Sequence, residues 1–225
     1  MEYQILQFYN YLDYPAARKE RIEKLLSDFK EKGIFLESFL SKGYRGVVFR
    51  GSYKGKTVAI KVLRSDVEKK NPIEKECRIL EFLEKTLKTE NPAPCLFICR
   101  KEFLVMEFIE GVTFSSAILE YNPKEVIKEA LKSCYLLDKV GVEHSEIKGE
   151  KHLIFDGKRV RIIDFESAKF KELPRNLLQF VGYHLIRNEK LLEKLKISRE
   201  ELKKIIEIYK QDREKGFHTL TNLFA

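Results

Sequence analysis

Two stretches about a hundred residues apart carry side chains whose types and spacing could do chemistry. The first is Ser41-Lys42-Gly43-Tyr44-Arg45-Gly46-Val47-Val48, followed by Val58-Ala59-Ile60-Lys61. The second is Ile162-Ile163-Asp164-Phe165-Glu166. A glycine loop lets backbone N–H groups approach phosphate oxygens because no side chain blocks the way. Taken alone, Gly43 and Gly46 describe a plain hairpin turn. Lys61 changes that reading: after three apolar strand residues its ammonium emerges beside the loop. A lysine that is even partly buried needs a partner, and Glu76 on the following helix is the first candidate, with Glu74 second. Asp164, ending an apolar strand, offers a carboxylate to a metal ion. Together these groups predict a cleft in which one cation and one metal-binding anion face the same phosphates. That is the minimum for holding Mg-ATP.

The elements that must position these groups can be read in order. Residues 1–32 read as helical, with an apolar stripe at Ile22, Leu25, Leu26 and Phe29, Pro15 at a first helical position and Gly33 as the stop. Strands are expected at 34–40, 46–51 and 56–63, with a hairpin turn at Tyr53-Lys54-Gly55-Lys56. Residues 74–88 are helical, with one stripe through Ile79, Leu80, Leu83 and Leu87. Asn91-Pro92-Ala93-Pro94 breaks that helix, and strands at 96–99 and 103–106 follow. Glu110-Gly111 reads as a linker to an α-rich part. There, helices are expected at 123–140, 176–187 and 198–214, with short strands at 153–155 and 159–163. Ser198 and Glu201 form a capping box. The expected division is a helical extension at 1–33, a β-rich unit at 34–109 and a mostly helical unit at 110–225, an α+β class.

Length and charge set the outer bounds. A chain of 225 residues can bury a real core. Its formal charge of +8 favours anionic partners: nucleotide, RNA or acidic protein. No apolar run approaches the roughly twenty residues that cross a bilayer, and residues 1–4 do not open a signal peptide, so the expectation is a cytoplasmic protein with no membrane partner. The four cysteines, Cys77, Cys95, Cys99 and Cys134, are expected as reduced thiols, since a zinc site needs closer pairing and more ligands. Abundant Lys, Glu and Ile without Trp suit a thermophile.

The order SxGxxGxV, VAIK, Glu76-Cys77-Arg78-Ile79-Leu80 and Val105-Met106-Glu107-Phe108-Ile109-Glu110-Gly111 resembles the N-lobe and hinge of a protein kinase. His144-Ser145-Glu146-Ile147-Lys148-Gly149-Glu150-Lys151 is similar to the catalytic loop HRDLKPEN, and Asp164-Phe165-Glu166 to DFG. The match covers residues 34–170. The Asp-Phe-Glu ending and short tail resemble the atypical branch: RIO kinases, the small kinase of the KEOPS complex, lipopolysaccharide kinases and a group of archaeal predicted serine/threonine kinases. The resemblance implies a two-lobed fold, with a five-stranded antiparallel sheet plus helix in the N-lobe and a reduced, mostly helical C-lobe. It implies ATP and Mg²⁺ as cofactors and a protein Ser/Thr hydroxyl as acceptor, its own included. Gly43 and Gly46 would cover the phosphates, and Val48 would lie over the adenine. Lys61, paired with Glu76, would contact the α- and β-phosphates. Met106 would back the adenine pocket, and the backbone of Glu107 and Ile109 would bond the base. Lys148 would steady the γ-phosphate, Asp164 would bind Mg²⁺, and His144 would be structural.

The departures define this chain. Glu146 replaces the catalytic aspartate: still a carboxylate, but one methylene longer, and a shift of about 1 Å can cost about a hundredfold in rate. Lys151 replaces the asparagine that holds a second metal, and a protonated lysine cannot ligate one. It can instead set a fixed positive charge near the phosphates. Glu166 is the first candidate for a replacement ligand, with Glu150 and His152 behind it. Ser145 removes the arginine that reads activation-loop phosphorylation. About sixty residues follow Asp164, without an Ala-Pro-Glu triplet, which leaves no room for the usual peptide platform. Lys169-Phe170-Lys171 lies where substrate would approach, or is a solvated basic loop. A pseudokinase or nucleotide-binding scaffold, a small-molecule kinase and an RNA-associated factor are the competing readings.

Overall fold

The computed structural model describes residue 8, residues 10–67 and residues 72–225. The part of the expected helical arm at residues 1–7 and 9 lies outside the described residues. The chain divides into two units, one comprising residues up to Glu81 together with Pro94–Phe108, the other Phe82–Ala93 together with Ile109–Ala225.

The first unit is built on five antiparallel strands: β1 (Ile34–Lys42), β2 (Gly46–Tyr53), β3 (Lys56–Leu63), β4 (Leu96–Cys99) and β5 (Phe103–Glu107), in the spatial order β1-β2-β3-β5-β4. Because side chains alternate across a strand, each strand sorts its residues onto two faces. Val47 and Phe49 of β2, Val58, Ile60 and Val62 of β3, and Phe103 and Val105 of β5 share one core with Ile22, Leu25 and Phe29 of the helix Lys19–Lys32. The register pairs Val48 with Lys61 and Ala59 with Met106. The alternation therefore leaves Val48, Ala59, Lys61, Leu104 and Met106 on the face opposite that helix. A slip of one residue would exchange the two sets, so the apolar core on one face fixes where Lys61 points.

The helix Lys19–Lys32 stops at Gly33, whose φ of 69° is the left-handed conformation that glycine adopts without penalty. Its start differs from expectation. The helix begins at Lys19 rather than Pro15, and the buried carboxylate of Asp13 accepts the Arg18 backbone N–H at 2.8 Å. The helix Pro72–Leu87 follows β3. The expectation of reduced thiols is corrected here: Cys77 on that helix and Cys99 at the end of β4 form a disulfide, while Cys95 and Cys134 stay outside it. The bonded pair is 22 residues apart in sequence, whereas the nearer neighbours Cys95 and Cys99 stay unlinked to each other.

In the second unit, the helix Pro123–Lys139 is capped by the Asn122 side chain and buries Val126, Ile127, Ala130, Leu131 and Leu137. Short strands β6 (Val112–Thr113), β8 (Leu153–Phe155) and β9 (Val160–Ile162) form a three-stranded sheet, and β7 (Val142–Glu143) pairs with β10 (Lys169–Phe170). The segment expected as one helix at 176–187 is α-helical only over Asn176–Phe180 and continues as a π-helical turn, Val181–Ile186. The segment expected at 198–214 is likewise two helices, Arg199–Gln211 and Arg213–Leu223. Ser198 caps the first through the Glu201 N–H at 3.0 Å. Asp212 caps the second through the Lys215 N–H, also at 3.0 Å. The break brings Gly216 so close to the Tyr209 backbone that no Cβ would fit between them. The architecture is α+β: an antiparallel five-stranded sheet with helices, then a mainly helical part. No helix among the described residues is long and apolar enough to cross a membrane.

Candidate active site

In the first unit, the Lys61 ammonium lies 2.8 Å from the Glu76 carboxylate, both side chains almost wholly buried. Burying either charge alone would be costly; paired, each compensates the other. Glu76, not Glu74, is the partner. The glycines of the β1–β2 turn have separate tasks. The Gly43 N–H donates to the Gly46 carbonyl at 2.8 Å and closes the turn. At Gly46, a Cβ would come within 3.0 Å of Lys61 Cγ and 3.1 Å of its Cε. The bare backbone there is what gives the lysine stem its path along the sheet. Met106 is buried on the same face. The Glu107 N–H donates to the Cys95 carbonyl at 2.9 Å, and the Glu107 carboxylate accepts the Cys95 N–H at 3.1 Å. Any contact from the Glu107 backbone to a base therefore has to come from its carbonyl. Ile109 belongs to the second unit.

In the second unit, His144 is fully buried and uses both ring nitrogens. Its Nε2 donates to the Ile163 carbonyl at 3.0 Å, and its Nδ1 accepts the Glu146 N–H at 3.3 Å. Burial lowers its pKa to about 4, so the ring is neutral at physiological pH. Its edge meets the Phe165 ring, with centroids 4.8 Å apart. One histidine thus ties the loop carrying Glu146 to the segment carrying Asp164. Ser145 and Asp164 both hold left-handed backbone, with φ of 74° and 65°. Such conformations cost about 1–3 kcal/mol each in a non-glycine residue and concentrate at functional sites. The Glu146 and Asp164 side chains keep 42% and 37% of their surface exposed, enough to meet a ligand. Lys148 and Lys151 are exposed, and Glu166 is buried in the turn Phe165–Ser167.

His152, a reserve ligand candidate in the sequence, lies between the two carboxylates: its Nε2 is 3.8 Å from a Glu146 oxygen and 3.8 Å from an Asp164 oxygen. Its Nδ1 donates to the Glu146 carbonyl at 2.9 Å. Other residues that hold this site stand outside the motifs. Asn176 accepts the His144 N–H at 2.8 Å and donates to the Val142 carbonyl at 2.7 Å. Asp138 in turn accepts from the Asn176 backbone and side chain, both at 2.8 Å, and from the Tyr209 hydroxyl at 2.8 Å. A signal was present. A carboxylate in the last turn of a helix opposes the helix dipole and asks for compensation, and Asp138 stands there beside Leu137. The His184 Nε2 donates to the Ile147 carbonyl at 2.9 Å from within the π-helical turn. Lys169 and Lys171 both pair with Glu143, at 3.4 and 2.8 Å. Burial would raise the Glu143 carboxyl, but these two ammoniums outweigh it and hold it below the usual carboxylate range.

No family model matches the chain. Over 74 residues it is 38% identical to an uncharacterized protein of Methanocaldococcus jannaschii, a match covering 32% of this chain and 64% of that protein. A probable serine/threonine-protein kinase of Dictyostelium discoideum is 29% identical over 139 residues, 56% of this chain and 8% of its own length. A second from the same organism is 22% identical over 188 residues, 79% of this chain and 20% of its own length. The chain thus spans less than two thirds of each of these relatives. A crystal structure of a kinase domain superposes with a TM-score of 0.48 at 19% identity, over 62% of this chain and 52% of that chain. The strand order β1-β2-β3-β5-β4, the following helical unit and the kinase relatives together describe a protein-kinase-like fold.

Proposed function

We propose that the chain is an atypical kinase that binds Mg-ATP and transfers the γ-phosphate to a protein Ser/Thr hydroxyl, its own included. The observation that carries this reading is the buried Lys61–Glu76 pair at 2.8 Å. It holds a lysine at the end of VAIK on the sheet face shared with Val48 and Met106. A buried ion pair is weak evidence for stability, so its retention on that face is better explained by the ammonium's charge being needed there. Lys61 binds the α- and β-phosphates, and the turn at Gly43 and Gly46 covers them. Val48 and Met106 bound the adenine, which the Glu107 carbonyl and the Ile109 N–H orient.

The half-exposed Asp164 carboxylate, in a strained backbone conformation beside Glu146 and His152, fits a hard divalent cation. Asp164 is its first ligand, with Glu166 the further carboxylate of the motif. When bound, the ion neutralises phosphate charge. The chain's own residues do the rest. Glu146 orients the acceptor hydroxyl and takes its proton, and Lys148 and Lys151 place positive charge at the γ-phosphate. His144 keeps the Glu146 loop and the Asp164 segment in register. Positioning and charge neutralisation supply most of the acceleration in such a reaction.

A nucleotide-binding scaffold that no longer transfers phosphate is the second reading, favoured by Lys151 in the place of the metal-binding asparagine. The finer assignment is to the RIO-like, KEOPS-kinase-like archaeal branch, acting in the cytoplasm. The Cys77–Cys99 disulfide fits that assignment where the cytoplasm is that of a hyperthermophile, since such organisms carry disulfides inside the cell. A partnership with RNA or an RNA-associated complex would draw on the basic surface.

Thermal melts test the core of the proposal. Mg-ATP should raise the Tm of the wild type, and Lys61→Met and Asp164→Ala should each abolish the rise; no rise in the wild type removes every nucleotide reading. With labelled ATP, slow autophosphorylation lost in Glu146→Gln supports transfer. Binding without transfer to any of a broad panel of acceptors favours the scaffold.

A further inference from the structure

Three aromatic residues of the N-terminal arm, Phe8, Tyr11 and Tyr14, stand three apart in the sequence. Phe8 meets Phe49 of β2 with ring centroids 6.2 Å apart, and Tyr11 stacks on Phe39 of β1 at 4.3 Å. Tyr14 reaches two cations beside the glycine turn. The Lys42 ammonium, at the end of β1, donates to the Tyr14 hydroxyl at 2.9 Å and stands 4.3 Å from its ring centroid. The Arg64 guanidinium, directly after β3, lies 5.0 Å from the same centroid. Arg64 also fastens the turn itself. Its side chain donates to the Gly43 carbonyl at 3.1 Å, and its backbone N–H to the Arg45 carbonyl at 3.0 Å. Tyr14 is fixed in turn by its neighbours. Its carbonyl accepts the Ser65 N–H at 2.9 Å and the Ser65 hydroxyl at 3.1 Å, and the preceding Asp13 is buried and bonded to Arg18 Nε at 2.9 Å. The kinase-like motifs begin at Ser41, so these contacts from the arm lie outside all of them.

Glycine loses more freedom on ordering than any other residue. A binding element that is ordered before its ligand arrives spares that cost at binding. We propose that the N-terminal arm braces the glycine turn and that Tyr14 is a positioning residue for the nucleotide phosphates: through Lys42 and Arg64 it keeps residues 43–46 in the phosphate-covering conformation. The hydrogen bond from Lys42 is charge-assisted, and the contacts of both cations with the ring add to it. The arm therefore sets affinity for the phosphates rather than for the base. The proposal rests on the nucleotide-binding reading above and gives the arm a part in that site.

The test uses the full-length protein as wild type, as Tyr14→Phe, which keeps the ring and loses the hydroxyl, and as Tyr14→Ala, which loses both. Amide exchange of the free protein reads the brace at the Gly43 N–H, which closes the turn. Calorimetric titrations with the Mg²⁺ complex of a non-hydrolysable ATP analogue, and separately with adenosine, read its consequence. Tyr14→Ala should speed Gly43 exchange and lower affinity for the analogue about fivefold or more. Tyr14→Phe should fall between it and the wild type, and adenosine affinity should stay unchanged in both. A general loss of folding would weaken the two ligands alike. Unchanged Gly43 exchange, unchanged analogue affinity, or equal weakening of analogue and adenosine each overturn the proposal and leave the nucleotide reading standing. A wild type that binds neither ligand overturns both. If Tyr14→Ala does not fold, Tyr14→Phe decides by the same measurements.

Discussion

At the scale of single residues, small differences in space and charge decide what the site can hold. Gly46 is an example: its missing side chain is the path of the Lys61 stem. Gly46→Ala should push that flexible stem aside at a stability cost of about 1 kcal/mol, while sharply reducing the Tm rise with Mg-ATP; paired melts with and without nucleotide check both. Asp13 illustrates charge. Burial alone would raise its carboxyl, but hydrogen bonds from Arg18 and Arg21 hold it far below the usual carboxylate range. In the unfolded chain the same group titrates near about 4, so the unfolded state binds more protons as the medium becomes acid. The stabilisation is present above that pH and is lost as the pH falls below it. Urea unfolding of Asp13→Asn should therefore show a deficit of roughly 2–4 kcal/mol at pH 7, narrowing at pH 3.

At the scale of elements, the loop carrying Glu146 is held from behind by a chain of buried polar groups. Asp138, near the end of the helix Pro123–Lys139, receives Asn176 and Tyr209. Asn176, at the start of the helix Asn176–Phe180, receives the His144 N–H. Burial raises the Asp138 carboxyl, and the donors around it offset that only in part. Removing a member of such a network strands the others without partners, which costs more than the bond itself. Asn176→Ala should lower stability by about 2–4 kcal/mol and speed amide hydrogen exchange at residues 142–148. Unchanged exchange there would mean that the loop is held by other contacts. The π-helical turn Val181–Ile186 belongs to the same support, since it presents His184 to the Ile147 carbonyl.

At the scale of the whole chain, the disulfide is the covalent constraint. It joins the helix that carries Glu76 to the edge strand β4. A cross-link closing a loop of this length contributes about 3 kcal/mol in the chain-entropy account. Cys99→Ser, or reduction of the wild type, should lower stability by about that amount in urea unfolding. Because the neighbouring residue of Cys77 is Glu76, the same change should weaken nucleotide-dependent stabilisation; an unchanged Tm rise would show that the helix holds Glu76 without the tether. The net charge of +8 acts at this scale too. Any RNA bound through it should dissociate steeply with salt, which a titration across salt concentrations measures.

Local pattern sufficed for much of the fold. The period-two alternation of β2, β3 and β5 and the period-3.6 stripes of the helices at 19–32 and 123–139 were legible because each depends on residues adjacent in the chain. So were the Gly33 stop and the Ser198 cap. Within the candidate site, Lys61 with Glu76 could be paired from motif order alone, since β3 and the next helix follow one another. What tertiary structure alone decided was every relation across long sequence distance or through backbone geometry. Cys77 found Cys99 because the sheet places β4 beside β5. Asn176 reached His144, 32 residues away, through buried hydrogen bonds that no periodicity encodes. His152 came to face Glu146 and Asp164 only once the loop had turned at Gly149. Periodicity reports which face a residue occupies; which distant residue meets it there depends on how the closed chain satisfies its buried polar groups.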